Sequence, residues 1–225
     1  GARQAGQKVE VQAILPNPYV GPRPLNRNEK EKLGGRSKEI GQLLNILIAE
    51  RIVFLHAPSG AGKTSLIDAG LRPRLEEMGK FWVSPLLRVN KLPNDPDILK
   101  PGAGHGHRYI FSLLQSLEEA KEPATQLSQV ELAELTLAEY LEHHLTDEVG
   151  GRRIVLVFDQ FEEILTVDPF DVKGKHAFFA EVGKVLKDRS RWALFAARAD
   201  YLYGFERYQR PIPTRLNNTF ELRLL

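Results

Sequence analysis

Ala57-Pro58-Ser59-Gly60-Ala61-Gly62-Lys63-Thr64 decides how this chain is read. The octapeptide follows an unbroken apolar run, Ile52-Val53-Phe54-Leu55, of the kind expected for a strand buried on both faces. It precedes Leu66, Ile67, Ala69, Gly70 and Leu71, whose spacing predicts a helix that Pro73 ends or kinks before Leu75. Strand, small-residue loop and helix in that order form the setting of a phosphate-binding loop. Gly60 and Gly62 let successive backbone N–H groups face one point at the helix N-terminus, where the partial positive charge favours phosphate oxygens. Lys63 has the reach for terminal phosphates, and the Thr64 hydroxyl suits a magnesium ion. Ala57 replaces the glycine of the stricter pattern, which a strand-end residue with negative φ tolerates. Pro58, Ser59, Gly60, Ala61, Gly62, Lys63, Thr64 and the following Ser65 are therefore the candidate residues for holding ATP or ADP, with magnesium as the implied ion.

Working outward, Leu15 to Pro24 carries four prolines in ten residues and predicts an extended arm. Residues 1–17 are expected to be a flexible tail or an expression remnant, and 18–50 an arm and helix preceding the core at 51–225. Ser37 is the expected N-cap of a helix presenting Ile40, Leu43, Leu44 and Leu47. Phe81 to Val89 reads as a second strand, and Asn90 to His107 as an irregular insertion. Two helices follow, one with Ile110, Leu113, Leu114 and Leu117, the other opening at a capping box, Ser128 with Glu131, and running through Leu137 and Leu141. After the Gly150-Gly151 break come a strand at Ile154 to Phe158, a helix carrying Phe178, Phe179, Val182, Val185 and Leu186, a strand at Trp192 to Ala197, and a fifth strand at Phe220 to Leu225. Strands alternating with helices predict an α/β P-loop NTPase fold, with a mostly parallel five-stranded sheet, helices on both faces and a proline-rich N-terminal arm.

Ile154-Val155-Leu156-Val157-Phe158-Asp159 is an apolar strand ending in a carboxylate, the form of a Walker B element, so Asp159 joins Thr64 as a candidate for magnesium. Glu162, or else Glu163, is placed to deprotonate an attacking water. Arg198 follows the fourth strand on the carboxyl edge of the sheet, where it can sense a γ-phosphate or pair with Asp200. The catalytic set read from the chain is Lys63, Asp159, Glu162, Glu163 and Arg198.

Composition narrows the alternatives. The chain has 31 basic and 29 acidic residues, a net charge of +2, so the overall balance does not indicate a nucleic-acid or membrane surface. It contains no cysteine, which excludes disulfides and thiolate metal sites and fits a cytoplasmic location. No apolar run reaches the roughly 18 residues of a membrane span. His105 and His107 lack a third ligand in the same element and read as loop residues; His143 and His144 read as surface. Arg207, Arg210, Arg215 and Arg223 give the last stretch a basic bias best assigned to solvent. Asn90-Lys91-Leu92-Pro93 lacks the aspartate of a guanine-reading motif, and a small-molecule kinase is disfavoured because no arginine-rich acceptor lid is evident.

Taken together the segments Asn17 to Pro24, Gly35-Arg36-Ser37-Lys38-Glu39, Pro58 to Leu66 with Ala69-Gly70-Leu71, Val157 to Ile164, and Ala197-Arg198-Ala199-Asp200-Tyr201 resemble the STAND ATPases, specifically the prokaryotic branch called novel STAND. The resemblance implies an ATP-gated regulatory switch that self-associates on sensing a signal and activates an attached effector, in signal transduction or antiviral defence. It implies that the arm and the Gly-Arg box pack around adenine and ribose, with Tyr19, Val20 and Arg36 as the contacts. It further implies helical, winged-helix and sensor modules beyond this core. Gln160 departs from the acid that many related ATPases place after the Walker B aspartate, which predicts slow hydrolysis, or a scaffold that holds nucleotide without turning it over.

Overall fold

The computed structural model describes residues 35–99 and 107–224. The arm, with Tyr19 and Val20, lies outside the described residues, as does His105. Helix α1 (Ser37–Glu50) buries Ile40, Leu43 and Leu47 along one stripe. Ser37 is its first helical residue and not its cap: Arg36 takes the flanking position, and no side chain caps the helix there. Arg51, at φ 65°, turns the chain into β1 (Ile52–Ala57).

Beyond the phosphate loop a continuous helical path is built of α2 (Lys63–Ser65), a π-helical stretch (Leu66–Leu71) and α3 (Arg72–Glu77). Pro73 neither ends this path nor stops it before Leu75. A proline ring in a regular helix clashes with the carbonyl four residues back. Here the turn before it is widened, with the Arg72 N–H donating to the Ile67 carbonyl, and the proline falls in the first turn of α3.

The remaining elements are β2 (Phe81–Leu87), a 3₁₀ turn (Pro96–Leu99), α4 (His107–Glu118), α5 (Gln129–Glu134), α6 (Leu137–His143), α7 (Thr146–Val149), β3 (Arg153–Phe158), α8 (Glu163–Thr166), α9 (Val172–Val185), β4 (Arg191–Arg198), a 3₁₀ segment (Ala199–Phe205) and β5 (Thr219–Glu221). Three expectations are corrected. β2 stops two residues short of Val89. The single helix expected from Ser128 is two, α5 and α6, because Thr136 with Glu139 forms a second capping box and Leu135 is extended. The fifth strand sits earlier than expected and spans only three residues.

All strand pairs are parallel, in the order β2-β3-β4-β1-β5. Alternate residues of β1 serve two cores. Ile52 and Phe54 pack with α4, α5, α6 and α9 on one face; Val53, Leu55 and Ala57 pack with α1, the π stretch and α3 on the other. The edge strands are blunted. β5 is short, and β2 carries Pro85 in a register shift where the β3 Val157 N–H donates to the Ser84 hydroxyl at 2.9 Å. This order places the carboxyl ends of β1, β4 and β3 side by side, so the loops leaving them converge at a topological switch point.

Candidate functional site

The phosphate loop leaves β1 at Ala57, which is fully buried, pairs with Arg198 of β4 and is not among the positive-φ residues. Gly60 and Gly62 do have positive φ, 77° and 83°. A Cβ at either would meet nothing within 4 Å, so these glycines are required by backbone conformation and not by crowding. The Ala61 N–H donates back to the Pro58 carbonyl at 3.4 Å, and the pair shapes the turn from behind. In front lies an open cleft of about 430 Å³, lined by the loop from Ser59 to Ser65 and by Asp159, Gln160, Glu162 and Arg198. Lys63 donates to the Ala57 carbonyl at 3.4 Å, lying back along the loop. Burial holds its pKa below the ordinary lysine value, opposed chiefly by Glu162 and then Asp159.

Across the cleft, β3 delivers its acids in a fixed direction because Phe161 is buried in an aromatic core. It stacks on Phe205 at 5.2 Å, and its N–H donates to the Ala196 carbonyl at 2.8 Å. Gln160, at φ 50°, makes the turn between Asp159 and that anchor. Asp159 is thereby carried to the loop, where the Thr64 hydroxyl lies 3.0 and 3.2 Å from its two carboxylate oxygens. The two candidate bases then part. Glu162 lines the cleft and accepts the Arg198 N–H at 3.3 Å. Glu163 turns inward, with one carboxylate oxygen buried and without a hydrogen-bond partner among the described residues. Burial pushes its pKa up against the pull of Arg88, with Glu162 and Asp159 adding to the rise.

Thr64 and Asp159 together present the hard oxygens that magnesium takes, and among the described residues no cluster of three or more His, Cys, Asp or Glu forms a cage for any other metal. Magnesium is held by one or two protein oxygens plus substrate phosphates, so the donor set fits it. A family model, novel STAND NTPase 1, matches residues 18–221. The chain belongs to this family. It is thus a P-loop, nucleotide-binding, NTPase-like protein. Among solved structures, the novel STAND chain resembles a Walker-type ATPase of Pyrococcus abyssi, PABY2304, with TM-score 0.58 and 17% identity over 89% of this chain and 56% of that one. It also resembles the ORC2 protein of Aeropyrum pernix, solved as ADPNP-ADP complexes, with TM-score 0.51 and 15% identity over 85% of this chain and 48% of that one. At such identity the likeness is one of fold, and the chain spans about half the length of these structures. No curated protein matches the sequence.

Three arginines of this novel STAND domain, Arg36, Arg198 and Arg88, take positions that sequence reasoning left open or missed. Arg36 is 7% exposed and sits behind the phosphate loop, donating to the Ala61 carbonyl at 3.3 Å, the Arg223 carbonyl at 2.9 Å and the Glu39 carboxylate at 3.2 Å. It thus ties the loop to α1 and to the end of β5. Arg198 lies at the cleft but its guanidinium is engaged with Asp200, one contact at 3.1 Å, and lies 5.3 Å from the Tyr201 ring centre. Arg88, absent from the sequence reading, forms a 3.0 Å ion pair with the fully buried Asp159 carboxylate. Its only signal is register: Leu87 pairs with Phe158, so the next residues, Arg88 and Asp159, stand together. Finding it requires knowing that β2 neighbours β3. His143, His144, Arg207, Arg210, Arg215 and Arg223 are exposed, as expected. No helix among the described residues is long and apolar enough to cross a membrane.

Proposed function

We propose that this cleft binds ATP with magnesium and hydrolyses it slowly, as the switch domain of a cytoplasmic STAND-type signalling or defence protein whose nucleotide state governs self-association and effector activation. The observation that carries the reading is the Thr64–Asp159 contact beside Lys63, which gathers the phosphate-binding and metal-holding groups of two separate loops at one point. Backbone N–H groups from Gly60 to Thr64 receive phosphate oxygens, and Lys63 swings from the Ala57 carbonyl to the terminal phosphates. Thr64 and Asp159 hold magnesium, which when bound supplies positive charge to the phosphate oxygens. Glu162 orients water and accepts its proton as the water oxygen bonds to the γ-phosphorus. The bond to the bridging oxygen breaks, leaving ADP and phosphate. Arg198 leaves Asp200 to meet the γ-phosphate. Tyr19 and Val20, within the segment 18–50, enclose the base and ribose, while Arg36 braces the phosphate loop from behind.

Lys63→Ala tests the seat directly. We expect magnesium-ATP affinity, measured by calorimetry, to fall by about a hundredfold, the cost of removing a charged phosphate partner; undiminished binding would refute the assignment. A second reading, a scaffold that holds nucleotide without turnover, draws support from Gln160 and from the Arg198–Asp200 pairing. Single-turnover hydrolysis separates the two, because nucleotide that stays bound and intact for hours favours the scaffold.

A further inference from the structure

The Asp159 carboxylate is fully buried and already carries a cation's worth of charge compensation from Arg88. An incoming magnesium ion competes with that guanidinium, because Arg88 and the Thr64 hydroxyl already occupy the two oxygens of the one carboxylate it would use. Arg88 cannot leave bodily. Its N–H donates to the Ser116 hydroxyl at 3.2 Å, and its carbonyl accepts from the Ser112 hydroxyl at 2.7 Å. Both serines lie buried on α4, and Ser112 also accepts the Lys91 N–H at 2.8 Å. The backbone on both sides of Arg88 is thus clamped, and only the side chain is free to turn. Close by, Glu163 has a buried carboxylate oxygen without a hydrogen-bond partner among the described residues, in the field of the Arg88 charge. An acceptor left unsatisfied in this way is costly unless another state of the protein fills it.

We propose that Arg88 is an exchangeable counter-ion of the metal site, neutralising Asp159 before magnesium arrives and passing to Glu163 when the ion takes the Asp159 carboxylate. Arg88 is on this account a positioning residue, and Glu163 is its second acceptor. The inference rests on the reading that magnesium-ATP occupies the cleft.

The test uses the whole 225-residue chain and a fluorescent ATP analogue, with magnesium titrated at fixed analogue concentration. Arg88→Gln removes the competitor, and the magnesium concentration for half-maximal binding should fall by about threefold or more; Glu163→Gln removes the second acceptor, and that concentration should rise by a similar factor. A merely structural pair would shift neither value or both the same way, and immobile charges would shift the two independently; in the exchange Glu163 acts through Arg88, so Glu163→Gln should add no shift on top of Arg88→Gln, and any of the other patterns overturns it. Circular dichroism checks folding. If Arg88→Gln does not fold, Glu163→Gln decides alone: a raised magnesium requirement supports the exchange, and an unchanged or lowered one overturns it. Failure of the wild-type chain to bind the analogue at any magnesium concentration would instead remove the underlying reading. Normal wild-type binding with unshifted variants removes only the exchange.

Discussion

On the function proposed above, Lys63 is the residue at which folding and binding make opposite demands. Burial favours its neutral form, so its pKa lies below the ordinary 10.5 in the folded chain. The stability cost of that buried charge is present at neutral pH and is relieved as pH rises through the depressed value, because the unfolded chain then holds the proton more tightly. Phosphate binding requires the charged form, and the free protein loses it before ordinary lysine does. Nucleotide affinity should therefore begin to fall with rising pH below 10.5, by about tenfold per unit beyond the depressed value, while a Lys63→Arg chain, which stays charged, gives a flat profile. A flat wild-type profile up to pH 10.5 would show that this charge does not hold the phosphates. Glu162→Gln should slow single-turnover hydrolysis by about a hundredfold or more and leave affinity within about threefold, the pattern of a lost general base. If Glu163→Gln alone has that effect, the base is Glu163. Residues that follow a motif, such as Asp159 and Glu162, were legible in sequence because the chain itself delivers them to the cleft. Arg88 was not, since its partner lies 71 positions away and meets it only through the β2–β3 register.

At the scale of elements, local chemistry is legible where it is complete within a few residues. Ser128 with Glu131 gives one helix start, and the same spacing at Thr136 and Glu139 marks the start that the apolar periodicity bridges over. The N-terminus of α6 is secured three times: the Glu139 N–H donates to the Thr136 hydroxyl at 3.2 Å, the Thr136 N–H to Glu139 at 2.9 Å, and the Leu137 N–H to Glu181 of α9 at 2.5 Å. Thr136→Ala should cost about 1 kcal/mol in urea unfolding, with nucleotide affinity unchanged because α6 packs on the helical layer away from the cleft. A loss of only a few tenths of a kcal/mol would mean that Glu181 caps this helix alone. Pro73 and β5 mark where local reading fails. A proline signals a break unless the preceding turn widens, and that widening is set by how Leu66, Ile67 and Leu71 bury against α1 and the sheet. The place of β5 is likewise set from outside, by pairing with β1 from Phe54 to His56, and not by its own apolar run.

Across the whole molecule, alternation of strands and helices was enough to give a parallel α/β fold, whereas strand order was not, because a parallel crossover of any length leaves its destination open. The order found has a functional consequence. With β4 between β1 and β3, the cleft draws on the ends of three strands that are distant in the chain and adjacent in the sheet. Lys63 and Thr64 come from the first, Asp159 and Glu162 from the third, and Arg198 from the one between. A nucleotide filling that cleft bridges groups more than 130 positions apart, so it should stabilise the folded chain as a unit and not merely order one loop. For a ligand absent from the unfolded state, about a hundredfold excess over Kd contributes roughly 2.7 kcal/mol, and a domain of this size gains about 2–4 °C in Tm per kcal/mol. Saturating magnesium-ATP at that excess should therefore raise Tm by about 5–10 °C in a single transition. Lys63→Ala, which at the same nucleotide concentration is only about half saturated, should cut the shift to about 1–2 °C. A wild-type shift under about 1 °C, or one undiminished in Lys63→Ala, would mean that this junction of three strand ends is not where the nucleotide binds.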